Sequence, residues 1–274
     1  MSFMNSNYKR SSMHSLSGGQ WGSGLGSAIS GACQTLVHQL VEQHNVDVNQ
    51  PCGKWGSPLH FLIYIRTYDE VNLSQLFIDA GADINAIGGR YSTPLGAAVI
   101  ESERGMAENL LQRGADLNLV FEKPGRRPLY LACWVKNVTY VNKLIEYGAD
   151  MTGCTKRGSV LQRAVHDGPL EITERLIECG AEVNAVTRGP FGTALNAAAV
   201  VGDVDNVRCL LDHGADVRLT GGYFHSVLQA AAGKSYIPML LTAILRTLCN
   251  LTVRVTLLSH LCSQSKFSRS FRVL

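Results

Sequence analysis

Residues 180–199 read GAEVNAVTRGPFGTALNAAA, and this stretch decides the fold. Gly180 follows an apolar pair, Leu176 and Ile177, as a helix does when it ends at a residue able to take the left-handed conformation of a C-cap. Thr193-Ala194-Leu195-Asn196 then opens a second apolar segment. Ala198 stands three residues beyond that leucine, where a small side chain lets two helices approach closely. A polar loop holding Arg188, Gly189 and Phe191 joins the two.

Both marks recur along the chain. A leucine preceded by Ser, Thr or a turn residue occurs at Leu25, Leu59, Leu95, Leu129, Leu161, Leu195 and Leu228, at steps of 34, 36, 34, 32, 34 and 33. Three residues after each comes Ala28, Leu62, Ala98, Ala132, Ala164, Ala198 or Ala231, so six of the seven are alanine. The stop recurs as Gly81-Ala82-Asp83, Gly114-Ala115-Asp116, Gly148-Ala149-Asp150, Gly180-Ala181-Glu182 and Gly214-Ala215-Asp216, at steps of 33, 34, 32 and 34. Two markers locked to one period predict a repeat architecture: turn, short helix, tight connection, second helix, glycine stop and an extended loop to the next unit.

These motifs resemble the ankyrin repeat, whose first helix opens with a T-P-L-H-x-A-like sequence. Ser57-Pro58-Leu59-His60 and Thr93-Pro94-Leu95-Gly96 match it closely. Ser159-Val160-Leu161-Gln162 and Thr193-Ala194-Leu195-Asn196 match it loosely. The resemblance covers residues 18–232, about four-fifths of the chain. It implies an all-α ankyrin-repeat solenoid of six to seven stacked helix-turn-helix units with β-hairpin-like finger loops. Glycine and aromatic residues ahead of several anchors, as in Trp21-Gly22-Ser23, Trp55-Gly56-Ser57, Gly88-Gly89-Arg90-Tyr91, Phe191-Gly192-Thr193 and Gly221-Gly222-Tyr223-Phe224, look like the style of fungal ankyrin arrays.

The ends depart from the pattern. Residues 1–17 are Ser- and Asn-rich and read as a disordered tail. The first unit keeps Leu25 and Ala28, but Asn45-Val46-Asp47-Val48-Asn49 replaces its glycine stop, as expected of an N-terminal cap. After Ser226-Val227-Leu228-Gln229-Ala230-Ala231-Ala232 no Gly-Ala-Asp follows, and from Val217 to Leu274 seven Lys/Arg and no acid occur in 58 residues. Arg246 and Arg254 inside the apolar stretch argue against a membrane span. A basic amphipathic helix is one reading of residues 233–274; a truncated last repeat or loss of the family frame is the reading that the sudden end of the period favours.

Composition narrows the function. The formal charge of +3 divides into two basic ends and a body from Glu42 to Asp216 with 16 Lys/Arg against 22 acids. That distribution is not a nucleic-acid footprint. Eight cysteines with no C-x-x-C pair indicate neither a disulfide framework nor a zinc site, which fits a reducing interior, cytoplasmic or nuclear. No phosphate-binding glycine loop is present, and no cofactor, metal or membrane partner is expected.

Candidate chemistry gives way to structure. His60 occupies the histidine position of the ankyrin-like motif, which implies a structural hydrogen bond to backbone. His166, His213 and His225 have no partner carboxylate at a recurring spacing and read as surface or hairpin residues. Cys33, Cys133 and Cys209 fall where helix positions should be buried. The acid of each Gly-Ala-Asp is expected to accept backbone N–H bonds as the chain turns. No catalytic residue emerges, and the chain is read as a non-enzyme.

The feature that points to a partner is the set of basic and aromatic residues in the projecting loops: Arg90, Tyr91, Lys123, Arg126, Arg127, Lys156, Arg157, Arg188, Phe191 and Tyr223, with Lys54 and Arg218 beside them. Arg and Tyr are enriched at interface hot spots. The expectation is a protein-interaction module that binds another protein, with an acidic surface, through its concave face and fingers. Loop charge kept for solubility is the competing reading. The alternatives are an array that recruits substrate for a larger enzyme or regulatory complex, and a truncated member without function.

Overall fold

The computed structural model describes residues 24–31, 33–44, 46–65, 70–101, 105–119, 127–155 and 157–232. The expected tails, 1–17 and 233–274, lie outside them, as does Trp21-Gly22-Ser23. The chain divides into two compact units, Met1–Asp150 and Met151–Leu274.

The serine or threonine ahead of an anchor leucine starts a helix because its hydroxyl accepts a backbone N–H that has no partner inside the helix. Thr93 Oγ1 accepts from Gly96 N at 3.0 Å and Thr193 Oγ1 from Asn196 N at 3.1 Å. Ser159 and Gln162 form a full capping box. Proline at the first helical position is pre-set for helical φ and has no N–H to lose. The first unit accordingly holds α1 (Gly24–Ser30), α2 (Gln34–Glu42), α3 (Pro58–Ile65), α4 (Glu70–Asp79), α5 (Pro94–Glu101), α6 (Met106–Gln112), α7 (Pro128–Trp134) and α8 (Val138–Glu146). The second holds α9 (Val160–Asp167), α10 (Leu170–Glu178), α11 (Ala194–Val201), α12 (Val204–Asp212) and α13 (Val227–Ala232).

First helices stack on first helices: α1, α3, α5 and α7 in succession in one unit, and α9, α11 and α13 in the other. Leu25, Leu59, Leu95, Leu129, Leu161 and Leu195 are all buried, each contributing roughly 1.5–3 kcal/mol of apolar burial, while Leu228 is half-buried. The alanines three residues on are buried as well, so small side chains stand where neighbouring helices approach.

Each second helix ends as the glycine predicts. Gly81, Gly114, Gly148, Gly180 and Gly214 all have φ between 82° and 90°. The following alanine N–H closes back onto the helix, as in Ala82 N to Phe77 O at 2.8 Å and Ala181 N to Leu176 O at 2.9 Å. The worn first repeat lacks this stop: Gln43 caps α2 in a right-handed conformation.

The acids behave as turn acceptors. Asp47, Asp83 and Asp116 each accept the N–H two residues on, from Asn49, Asn85 and Asn118, at 2.9, 2.8 and 2.7 Å. Those asparagines do something the sequence reading did not anticipate. Each Oδ1 reaches into the next repeat and accepts the N–H of its acid at 2.8 Å: Asn49 from Asp83, Asn85 from Asp116, Asn118 from Asp150, and Asn184 from Asp216. Asn49 Nδ2 also donates to Gly81 O at 2.9 Å. A loop-to-loop amide ladder therefore runs within each unit, and the first repeat keeps it despite lacking a glycine stop.

Cys33 departs from expectation. It precedes α2 rather than lying on a helix and is exposed, whereas Cys133 and Cys209 are buried as read. Hydrogen bonds from Thr35 and the Leu36 backbone hold its thiol pKa below the usual value.

Candidate functional site

The fingers are tight hairpins. Gly88 N donates to Ser92 O at 2.9 Å, Thr187 N to Gly192 O at 2.8 Å and Gly221 N to His225 O at 2.8 Å. Residues Cys154–Thr155 (β1) and Gly158–Ser159 (β2) pair antiparallel, Cys154 opposite Ser159.

Glycine is required where neighbouring fingers touch. A Cβ on Gly56 would lie 2.7 Å from Gly89 N, and one on Gly192, where φ is 73°, would lie 2.5 Å from Gly221 Cα. A Cβ on Gly189 would meet Gly158 N at 2.7 Å. Side-chain carbons do not approach backbone this closely, so the glycine-rich signature is a backbone-to-backbone zip. Its effect is to fix the spacing of what the fingers carry.

In the first unit the fingers face the ends of the first helices. The Trp55 ring lies 4.1 Å from that of Tyr64 and 5.7 Å from Phe61. Lys54 Nζ sits 5.0 Å from the Trp55 centroid, and the Arg90 guanidinium 5.5 Å from that of Tyr91, both within cation–π range. Tyr91 itself is buried, and its hydroxyl donates to Glu101 Oε1 at 3.1 Å. Burial, together with the Glu101 charge, pushes its phenol pKa well up. Burial likewise lowers His60 to about 4 from 6.5, partly offset by a backbone bond to Ser92. Ser57 Oγ lies 2.9 Å from His60 Nδ1, so His60 is structural, as the motif implied.

The second unit arranges its face differently. Arg157, Arg188 and Tyr223 are exposed, Tyr223 to 82%. Tyr223 N donates to Pro190 O at 2.8 Å, which fixes its finger to the one before. Phe191 is half-buried, with its ring 4.6 Å from His166. His166 stands beside the carboxylate of Asp167, at a spacing that His213 and His225 do not share. Its Nδ1 lies 2.9 Å from Asp167 Oδ2, which also meets Arg163 Nη2 at 2.7 Å.

The expected partner-facing residues thus divide. Arg90, Arg157, Arg188 and Tyr223 are exposed. Tyr91 is turned inward by its bond to Glu101, and half-buried Arg127 ion-pairs with Asp150, so these two serve the fold. Lys123, Arg126 and Lys156 lie outside the described residues. Arg218 is bound through two nitrogens to Asp216, at 3.0 and 3.1 Å. The sequence reading passed over Trp134 and Val135, both exposed at the end of α7, and Ile87, 67% exposed ahead of its finger. Among the described residues no group of three His, Cys, Asp or Glu side chains could hold a metal ion, and no helix is long and apolar enough to cross a membrane.

Stacked helix pairs with zipped fingers define a helical-repeat binding module. The Ankyrin repeat family model matches residues 192–221. The human ASB11 ankyrin repeat domain superposes with a TM-score of 0.66 at 24% identity, covering 81% of this chain and 97% of that one. The Danio rerio protein named "Putative palmitoyltransferase ZDHHC13" is 33% identical over 199 residues, 70% of this chain and 30% of its own length. The Gallus gallus nuclear factor NF-kappa-B p105 subunit is 28% identical over 217 residues, 76% of this chain and 22% of its own. None of the three is fungal, and they give the suggested fungal style no support. The chain is an ankyrin-repeat protein, and it spans less than a third of the length of these two curated relatives.

Proposed function

We propose that the chain is a protein-interaction module that holds another polypeptide against the fingers and first-helix ends, contributing recognition rather than chemistry. Ankyrin repeats are interaction modules, and the observation that carries the reading is the glycine zip. Fingers held backbone to backbone present Arg90 in the first unit, and Arg157, Arg188 and Tyr223 in the second, with little ordering left to do on binding. The described fingers carry no carboxylate, which suits an anionic partner, and the excess of acids over Lys/Arg between Glu42 and Asp216, 22 against 16, favours an acidic protein surface over nucleic acid. Free thiols at Cys52, Cys133 and Cys209, all buried, suit a reducing intracellular compartment.

The test is a photo-crosslinking residue placed at Arg90 or Tyr223 in the full chain, expressed in cells. Crosslinks to a distinct protein, lost on Arg188→Glu with an unchanged unfolding midpoint, are the expected result. Crosslinks that persist through charge reversal would remove the fingers from the interface.

A second reading, recruitment of substrate to a catalytic domain, is favoured by the Danio rerio relative, of whose length the match takes up 30%. In that reading the same fingers hold the substrate.

A further inference from the structure

The finger that leads into α11 alternates in exposure. Thr187 is turned inward, its hydroxyl donating to Gln162 Oε1 at 2.9 Å, while Val186 and Arg188 on either side of it are exposed. That is the pattern of an extended segment, in which residues two apart share one face. The next finger lies against both ends of this stretch. Val186 Cγ1 is 3.5 Å from the Cβ position of Gly221, and Tyr223 N donates to Pro190 O at 2.8 Å. Arg188 stands midway in sequence between those two contacts, and Tyr223, 82% exposed, follows Gly221 by two residues. Val186, Arg188 and Tyr223 therefore belong to one patch, on backbone that Gly192, Gly221 and Gly222 bring into contact. Among the described residues Arg188 enters no ion pair. Residues 183–192 and 219–225 contain no Asp or Glu. Asp216, on the loop leading into the second of these fingers, is already gripped by Arg218 at 3.0 and 3.1 Å.

We propose that this patch takes an extended polypeptide segment in which an apolar side chain stands two residues from a carboxylate, the apolar group packing on Val186 and Tyr223 and the carboxylate meeting Arg188. The inference rests on the interaction reading above and names the chemistry of the partner. Side chains on one face of an extended segment recur every roughly 6.5–7 Å, so a segment with that spacing matches the spacing of Val186 and Arg188 in their own stretch. The apolar contact supplies affinity. The ion pair supplies choice, since an exposed pair adds little by itself while a like charge set against Arg188 is penalised. A polypeptide suits the patch better than an anionic membrane, because residues 151–232 carry nine acids against seven Lys/Arg. Recruitment to anionic lipid takes a cluster of about four to eight cations.

The experiment immobilises the full chain and offers four peptide pools with otherwise randomised positions, together with vesicles of phosphatidylcholine with and without phosphatidylserine. The first pool fixes a leucine with an aspartate two residues to either side. The second replaces both aspartates by lysine, the third replaces the leucine by serine, and the fourth moves the aspartates next to the leucine. The first pool should be retained about fivefold or more over the second and about tenfold over the third, and should also exceed the fourth. Arg188→Gln should erase the choice of aspartate over lysine and keep that of leucine over serine. Val186→Ser or Tyr223→Ala should do the reverse, and the charge control Arg208→Gln on α12 should leave both choices intact. Circular dichroism melts run alongside confirm that each variant is folded. Retention of no pool, a choice of aspartate indifferent to Arg188, equal retention of the first and fourth pools, or binding to phosphatidylserine vesicles alone would overturn the proposal. Failure here with crosslinks still formed at Tyr223 discards the extended segment and keeps the interaction module; loss of the crosslinks discards the module itself.

Discussion

Counted back from the anchor leucine, the two units use the same finger positions for different ends. Four residues before the leucine stand Trp55 and Tyr91 in the first unit, and Phe191 and Phe224 in the second. Five residues before it stand Lys54 and Arg90, then Pro190 and Tyr223. The nearer position packs in three of these fingers, Trp55 on Tyr64, Tyr91 on Glu101 and Phe191 on His166, while Phe224 is exposed. The farther one is exposed at Lys54, Arg90 and Tyr223 and half-buried at Pro190. In the first unit it holds a cation lying over the packed ring; in the second it holds an exposed tyrosine beside a cation, Arg188, from the neighbouring finger. Tyr91 and Tyr223, one step of register apart, are therefore a scaffold and an exposed residue respectively.

The largest effect should come from opening the zip that both units share. Gly192→Ala places a Cβ against Gly221 and Gly222 at a φ of 73°, so backbone must move and left-handed strain is added. The expected loss is roughly 3 kcal/mol or more. Gly214→Ala has a similar φ of 82° but nothing within 4 Å of the added carbon, so it should cost only about 1 kcal/mol. Chemical denaturation of the two variants separates contact from conformation. Equal losses would mean that the close approach of the fingers contributes nothing.

The next effect separates the units by pH. Burial holds His60 to about 4 against 6.5, so the folded first unit requires the neutral ring. The unfolded chain binds the proton more readily. This stabilisation is fully present above about pH 6.5 and is lost as pH falls toward 4, a loss of about 3 kcal/mol. The equivalent residues in the second unit, Gln162 and Asn196, do not titrate. All three tryptophans, Trp21, Trp55 and Trp134, belong to the first unit, so tryptophan fluorescence in a urea titration reads that unit alone. Its midpoint should drop between pH 7 and pH 4, and His60→Gln should remove most of that drop.

How much of this was legible in the sequence follows from the range of each interaction. The anchors and glycine stops could be read because each depends on neighbours a few residues away and recurs with the period. The asparagine ladder was equally periodic, an Asn two residues after the acid at Asn49, Asn85, Asn118 and Asn184, yet its reach into the next repeat belongs to the stacking and not to the string. Arg127 looked like a free finger cation because its partner, Asp150, lies 23 residues on. His166 and Asp167 are consecutive, and consecutive helix residues normally diverge; they meet where α9 ends at Gly168. The inward turn of Tyr91 was recoverable in principle, by counting from Leu95 instead of from the glycines.

The smallest effect in stability is the sharpest test of that register. Tyr91→Phe removes the hydroxyl that donates to Glu101 at 3.1 Å and leaves a partly buried carboxylate one partner short, so it should cost about 1 kcal/mol in chemical denaturation. Tyr223→Ala truncates a side chain that is 82% exposed and should change stability by less than about 0.5 kcal/mol. Binding should rank the two oppositely. If the residue five before the leucine is the contact, Tyr223→Ala weakens capture of the crosslinked partner roughly tenfold or more, as a central aromatic does, while Tyr91→Phe leaves it within about twofold. A Tyr223→Ala variant that destabilises as much as Tyr91→Phe and binds as well as the parent would place both rings in the scaffold, and the outward surface of the second unit would then rest on its arginines alone.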